Sequence, residues 1–176
     1  MYYTGKGDGG TTTLFGSKDR VSKQDAIFAA LGSLDELNCW LGFCATKAAS
    51  DTETTILEIK ELLIRLQEHL FIIQAELAGA DKKIELVQSE ELESIINYIA
   101  PQLKERKSFT IPGGSELSAS LDFGRALARR CERAVLAIEP SEHIKKYLNR
   151  LSSVLYVLAR RVNDCKNINE QSPSYQ

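Results

Sequence analysis

Apolar residues return along this chain at alternating steps of three and four over several long stretches, with polar residues between them, the period of helices that each bury one face. The first stretch, SKQDAIFAALGSLDELNCWLGFCATKA, aligns Ile27, Leu31, Leu34, Leu37, Leu41 and Ala45, and offers Ser22 as an N-cap with Asp25 three residues later. From about Thr52 to Ala80, Ile56, Ile59, Leu63, Leu66, Leu70, Ile73 and Leu77 form the seam of near-parallel helix packing. A shorter helix is expected from Ser89 to about Lys104, bent near Pro101. Pro112-Gly113-Gly114 then stops any regular element.

A fourth pattern from about Glu116 to Ile138 turns Leu117, Leu121, Gly124, Leu127, Cys131, Val135 and Ile138 inward and is closed by Pro140. The fifth, from about Glu142 to Cys165, has Leu148, Leu151, Leu155, Leu158 and Val162 as its seam. No segment has a strand period, so the pattern predicts an all-α fold, a ferritin-like up-and-down bundle of about five helices. The expected organisation is one domain over 1–176: a leader loop over 1–21, the bundle over 22–165, and a frayed polar tail over 166–176.

Composition narrows the function classes. The 176 residues are 43% hydrophobic and carry a formal net charge of -2, so nothing argues for a nucleic-acid or membrane partner and any anion site must be local. No apolar run approaches the roughly 20 residues of a membrane span, and MYYTGKGDGG is no signal peptide, which predicts a cytoplasmic location. Cys39, Cys44, Cys131 and Cys165 form no CxxC pair and are expected to be reduced. His69 and His143 stand alone, without an ExxH or HExxH pattern, and no GxSxG elbow occurs. No protein nucleophile or metal cage announces itself.

Gly5-Lys6-Gly7-Asp8-Gly9-Gly10 formally satisfies GxGxxG, but only four residues precede it and no helix opens directly after it, so the dinucleotide-fold meaning fails. Two alternatives stay open: a Gly-rich leader, or a phosphate loop in which backbone N–H groups, Lys6 and the hydroxyls of Thr11, Thr12 and Thr13 meet an anion. In the fourth helix Arg125, Arg129 and Arg133 recur every four residues with Glu132 beside the last two, a stripe about 12 Å long at the helical rise of ~1.5 Å per residue. It is either a salt-bridged wet face or a fork array for phosphate. Asp35 and Glu36 want a cationic partner, for which one of these arginines is a candidate. Asn149 and Arg150 lie at the bundle's edge.

These elements, in this order, resemble the PduO-type ATP:cob(I)alamin adenosyltransferases over nearly the whole chain. The resemblance rests on YTGKGDGGTTTLFG, RVSK, GSLDELNCWLG, FTIPGG, RALARRCER and YLNRLSSVLYVLAR. It implies a homotrimer with active sites between subunits, transferring the 5′-deoxyadenosyl group of ATP to cob(I)alamin with release of triphosphate. Carried over by position, Thr4, Gly5, Lys6, Gly7, Asp8, Gly10, Thr11, Thr12 and Lys23 would hold the phosphates, and Arg133 and Asn149 would contact the nucleotide. Glu132 would assist Mg²⁺ or orient the arginines, and Asp35 would pair with Arg129 across the subunit boundary. Phe109 would pack under the corrin, favouring four-coordinate cob(II)alamin. A reductase is an implied partner, and an adenosylcobalamin-dependent client enzyme a further one. The chain departs from the family pattern at Gly9, where a lysine is usual, in AIFAALG, and at Ser153; these bear on nucleotide affinity. The alternatives are a corrinoid-binding or regulatory helical trimer with weak or no ATP-dependent catalysis, and a purely structural helical oligomer.

Overall fold

The computed structural model describes residues 2–106 and 108–175. Among these residues five α-helices carry the fold: α1 (Ala26–Ala49), α2 (Thr54–Leu77), α3 (Leu86–Ile99), α4 (Glu116–Leu136) and α5 (Glu142–Cys165). A 3-10 turn, Ala100–Gln102, follows α3. Proline at 101 lacks the N–H that would continue an α-helix, so the bend expected there becomes a change of helix type.

Two expectations are corrected at the N-terminus. Residues 11–12 and 21–22 form a short antiparallel pair, β1 (Thr11–Thr12) and β2 (Val21–Ser22), with Thr11 opposite Ser22 and Thr12 opposite Val21. Ser22 therefore belongs to the hairpin, and α1 starts four residues after it. Its N-cap is Asp25, whose carboxylate accepts from the Ile27 N–H at 3.2 Å. Ser115 and Ser141 cap α4 and α5 in the same way.

Named contacts fix the helix directions. Lys47 near the end of α1 pairs with Glu116 at the start of α4 at 2.8 Å, while Glu36 meets Arg130, so α1 and α4 are antiparallel. Arg160 of α5 meets Asp122 of α4, and Asn149 of α5 meets Glu132 of α4, so these two are antiparallel as well. Glu93 of α3 meets Arg150 of α5, and the Lys104 N–H further along meets Asp164, so α3 and α5 run parallel. The helices alternate up and down through the chain.

The core is made of the predicted seam residues, among them Leu34, Leu37, Leu41, Leu63, Leu66, Leu70, Leu121, Cys131, Leu148, Leu151, Leu155 and Leu158. Gly124 lets α4 lie close to its neighbours, because a Cβ there would be 3.2 Å from Trp40 Cδ1. The Trp40 indole donates to the Ser120 carbonyl at 2.7 Å. All four cysteines are free; Cys44 and Cys131 are buried, and burial pushes both thiols up to about 12. Among the described residues no helix is long and apolar enough to cross a membrane.

The tail is the largest correction. Residues 168–172 do not fray: the Ile111 N–H donates to the Gln171 carbonyl at 2.8 Å, Ser108 and Ser172 share a hydrogen bond at 2.6 Å, and Glu170 is buried between Arg106 and Arg160.

Candidate functional site

One end of the bundle collects the hairpin, the start of α1, the end of α2, the end of α4 and the start of α5. Ser141 before α5 donates to Glu76 at 3.0 Å. A Cβ on Gly79 would approach the Phe15 carbonyl at 3.8 Å. Of the predicted phosphate-loop residues, Thr4 to Gly10 lie just before the hairpin, Thr11 and Thr12 in its first strand, and Lys23 directly after its second. Gly5 and Gly10 have positive φ, 68° and 75°, conformations that suit glycine. Lys23 donates its N–H to the Gly10 carbonyl at 2.9 Å, and its side chain folds back so that a Cβ on Gly7 would lie 2.9 Å from the ammonium. Gly7 thus makes room for a cation over the loop. Thr4 accepts from the Lys6 N–H at 3.4 Å.

Sequence reasoning missed Arg20. Its guanidinium donates to the Thr11 hydroxyl oxygen at 2.9 Å and to the carbonyls of Thr11, at 2.7 Å, and Lys6. A planar fork reaching from one arm to two carbonyls of the other, five residues apart, fixes the loop's shape. A local signal existed, since an arginine just before a two-residue strand can reach across its hairpin.

On α4, Arg129 and Arg133 are exposed and Arg125 is half-buried. Among the described residues none of the three has a salt bridge; the Arg133 guanidinium donates only to the Arg129 carbonyl at 3.3 Å. Arg125 and Arg129 line a shallow open groove with Ser152, Ser153, Tyr156 and Val157. Arg130 pairs with Glu36 within the chain, whereas Asp35 is exposed and meets none of the stripe among the described residues. Asn149, expected only by resemblance to act, is locked in a chain of contacts. Its amide donates to Glu132 at 3.0 Å and its carbonyl accepts from Arg150 at 2.6 Å, while Arg150 donates to Glu93 at 2.9 Å. Arg150 and Lys146 hold the Glu93 carboxyl below its usual range.

The other end of the bundle carries the turn after Phe109. Phe109 is 79% exposed, so it caps no core. The turn is held from behind: the Asp122 carboxylate accepts from the Gly113 N–H at 3.2 Å, Ser118 donates to the Gly113 carbonyl at 2.7 Å, and Asn163 donates to the same oxygen at 2.9 Å. Asp122 is paired with the fully buried Arg160 at 2.5 Å. Arg160 Nε lies 3.0 Å from Glu170 Oε1 but has no aligned hydrogen bond, so that contact is a charge pair alone.

A cation fits this donor set only in part. Glu132 is half-buried and uses one oxygen on Asn149, and among the described residues no three His, Cys, Asp or Glu side chains converge as a cage. One carboxylate beside a phosphate site suits Mg²⁺ carried mainly by phosphate oxygens.

These features define the class as an all-α up-and-down helical bundle, with a cationic glycine-rich hairpin at one end, an arginine stripe running from the middle of α4 toward that end, and an exposed aromatic on a pinned turn at the other. Residues 2–162 match the family model described as cobalamin adenosyltransferase. The chain belongs to that family. It is 39% identical to the corrinoid adenosyltransferase PduO of Salmonella typhimurium over 90% of this chain and 48% of that protein, so it spans about half the length of that relative. It is 35% identical to a corrinoid adenosyltransferase of Citrobacter freundii, covering 90% of this chain and 92% of the relative. Among solved structures, a phenylalanine-to-alanine variant of the PduO-type ATP:corrinoid adenosyltransferase of Lactobacillus reuteri, complexed with cobalamin and ATP, matches with a TM-score of 0.87 at 27% identity, covering 99% of each chain. An arginine-to-lysine variant of the same enzyme, complexed with ATP, matches with a TM-score of 0.85 at 27% identity, covering 97% of this chain and 99% of that one.

Proposed function

We propose that this chain transfers the 5′-deoxyadenosyl group of ATP to the cobalt of cob(I)alamin, releasing triphosphate, as a homotrimer with sites between subunits. The observation that carries this reading is the set of arginines Arg125, Arg129 and Arg133, without an ion pair among the described residues and running from the middle of α4 toward the hairpin's end, within a fold matched to the ATP- and cobalamin-bound relative. In that relative's variants the substituted arginine stands twenty residues after the substituted phenylalanine. In this chain the same step from Phe109 leads to Arg129, which joins Arg133 as a nucleotide-facing group.

The reaction needs positioning and charge stabilisation rather than a protein base. A Co–C bond forms at C5′ as the C5′–O bond breaks, and triphosphate leaves with the bonding pair while Co(I) becomes Co(III). The loop from Thr4 to Thr12, which includes Lys6, and Lys23 grip the phosphates, and Arg129 and Arg133 stabilise the charge growing on the leaving group. Asn149 presents its amide to the nucleotide, and Glu132 keeps that amide in place. Mg²⁺, held by the phosphates and Glu132, supplies further charge neutralisation when bound. Phe109 covers one axial face of the corrin and excludes water from it.

Support for the assembly comes from the outer face of α1. Asp35, Cys39 and Phe43 recur every four residues on it, all exposed, and Phe43 and Phe123, 45% and 51% exposed, flank Trp40 with ring centroids 5.0 and 4.7 Å away. An exposed aromatic cluster next to an unpaired acid suits an interface between copies. Asp35 of one copy then meets Arg129 of the next and orients the guanidinium whose remaining donors face the nucleotide. The electron donor is a reductase, and the product serves an adenosylcobalamin-dependent client.

Calorimetric titration with MgATP, followed by single-turnover adenosylation of chemically reduced cobalamin, tests the reading. Binding of both substrates and formation of adenosylcobalamin are expected. Retained cobalamin affinity without MgATP binding would establish the regulatory alternative instead.

A further inference from the structure

Glu170 and Gln171 lie beyond residue 162, where the family match ends, yet they close the turn that presents Phe109. The Glu170 side chain is 7% exposed. One carboxylate oxygen bonds Arg106, which stands three residues before Phe109 and is further tied to Asp164 at 2.8 Å and to the Lys104 carbonyl at 2.8 Å. The other accepts from Asn163 at 2.7 Å and lies 3.0 Å from Arg160 Nε. Asn163 in turn reaches the far side of Phe109: its amide donates to the Gly113 carbonyl at 2.9 Å, and its oxygen accepts from the Ser115 N–H at 3.3 Å. The fit there is close, since a Cβ on Gly114 would lie 2.4 Å from Asn163 Oδ1. The neighbouring Gln171 carbonyl takes the Ile111 N–H at 2.8 Å.

A single carboxylate therefore ties both flanks of the segment that carries Phe109, while the Phe109 ring itself is exposed. An aromatic with no packing of its own takes its direction from the backbone beneath it, and that backbone is fixed by buried, charge-assisted hydrogen bonds.

We propose that Glu170 is a positioning residue for adenosyl transfer: it bridges Arg106 and the Asn163–Gly113 contact and thereby sets where Phe109 stands against the corrin. The proposal rests on the corrin-facing role of Phe109. Removal of the carboxylate frees both flanks at once, and misplacement of a positioned group by about 1 Å costs up to roughly a hundredfold in rate. The loss falls on the corrin half more than on the nucleotide half, because the hairpin and Arg133 lie toward the other end of the bundle.

The test uses the full chain with cob(II)alamin and MgATP, comparing Glu170→Ala, Glu170→Gln and Phe109→Ala by the electronic and paramagnetic signature of four-coordinate cobalt, by kcat and KM for ATP, and by melting temperature. Glu170→Ala is expected to lose most of the four-coordinate signal and roughly tenfold or more in kcat, with KM for ATP within about twofold of the parent. Glu170→Gln keeps an acceptor for Asn163 and is expected to recover part of both. A full four-coordinate signal in Glu170→Ala, while Phe109→Ala abolishes it, overturns the proposal and leaves the role of Phe109 standing. An intact signal in Phe109→Ala overturns that role and the proposal with it. If Glu170→Ala does not fold, a parental signal and kcat in Glu170→Gln overturn the proposal, and a selective loss in that variant supports it.

Discussion

Breaking the Asp122–Arg160 pair from one side should be far more damaging than replacing both partners. The two side chains are 4% and 1% exposed and meet at 2.5 Å, and Asp122 also accepts from the Gly113 N–H. Asp122→Asn keeps the shape but leaves a buried guanidinium with only Glu170 as a charge partner. Loss of one partner from a buried pair costs about 3–5 kcal/mol. For a chain of this size each kcal/mol moves the midpoint by roughly 2–4 °C. A fall of about 6–20 °C is therefore expected, trimmed toward the lower figure by Glu170. Asp122→Leu with Arg160→Met removes both charges and should recover at least half of that stability, while still losing the anchor of the Gly113 turn. Calorimetry of the parent, both single variants and the double variant gives the coupling directly. A melting point for Asp122→Asn within about 2 °C of the parent, less than one kcal/mol on this scale, would refute the reasoning, as would strict additivity of the two changes.

Arg133→Ala should lower kcat/KM for ATP by roughly tenfold or more, as loss of a charge-assisted contact does, with helical content by circular dichroism unchanged; parental turnover at subsaturating ATP would remove Arg133 from the site. Asp35→Arg should weaken the proposed trimer in sedimentation equilibrium and be rescued by Arg129→Asp. Rescue by Arg125→Asp instead would show the intersubunit pair to lie one helical turn earlier. Glu93→Ala should free Arg150 from α3, loosen the Asn149 amide and raise KM for ATP several-fold with little change in kcat; equal kinetics in the variant would show that Arg150 holds Asn149 unaided.

How far the sequence could be read followed how local each interaction is. The bounds of α5, Glu142–Cys165, are those expected, because its seam, its Ser141 cap and Pro140 all act within a few residues. The expected start of α1 slipped because Ser22 and Asp25 are both good caps and the choice between them was made by the pairing of residues 21–22 with 11–12. Arg20 escaped notice for the same reason: its role exists only once the hairpin has formed. The tail read as frayed because its polarity is real. Glu170 is buried only because Arg106, 64 positions earlier, and Arg160 converge on it. Asp122 and Arg160 interrupt otherwise apolar helix faces, which could have suggested a buried pair, but their partnership depends on the antiparallel setting of α4 and α5.

The layout along α4 bears on how the proposed reaction is organised. From Glu116, beside the Phe109 turn, to Arg133, near the end of α4 that is level with the hairpin, the helix rises roughly 26 Å at ~1.5 Å per residue, and the arginine stripe runs from its middle to that end. Attack at C5′ with departure of triphosphate requires cobalt, carbon and leaving oxygen nearly in line. In the proposed reaction leaving oxygen, carbon and cobalt would be met in turn from the C-terminal end of α4, level with the hairpin, past Arg133, Arg129 and Arg125, to the turn before its start that carries Phe109, so this rigid helix would set the spacing between the phosphate grip and the corrin-facing ring. A three-fold axis along the bundle would rotate neighbouring copies without changing their height. A hairpin from one copy and an arginine stripe from the next then stay level, and the order along α4 survives even where the halves of a site belong to different chains. On this arrangement Glu170 and Arg20 have matching tasks at opposite ends of the molecule: each spends a charged side chain on pinning a loop, so that the groups facing the substrates are placed before either substrate arrives.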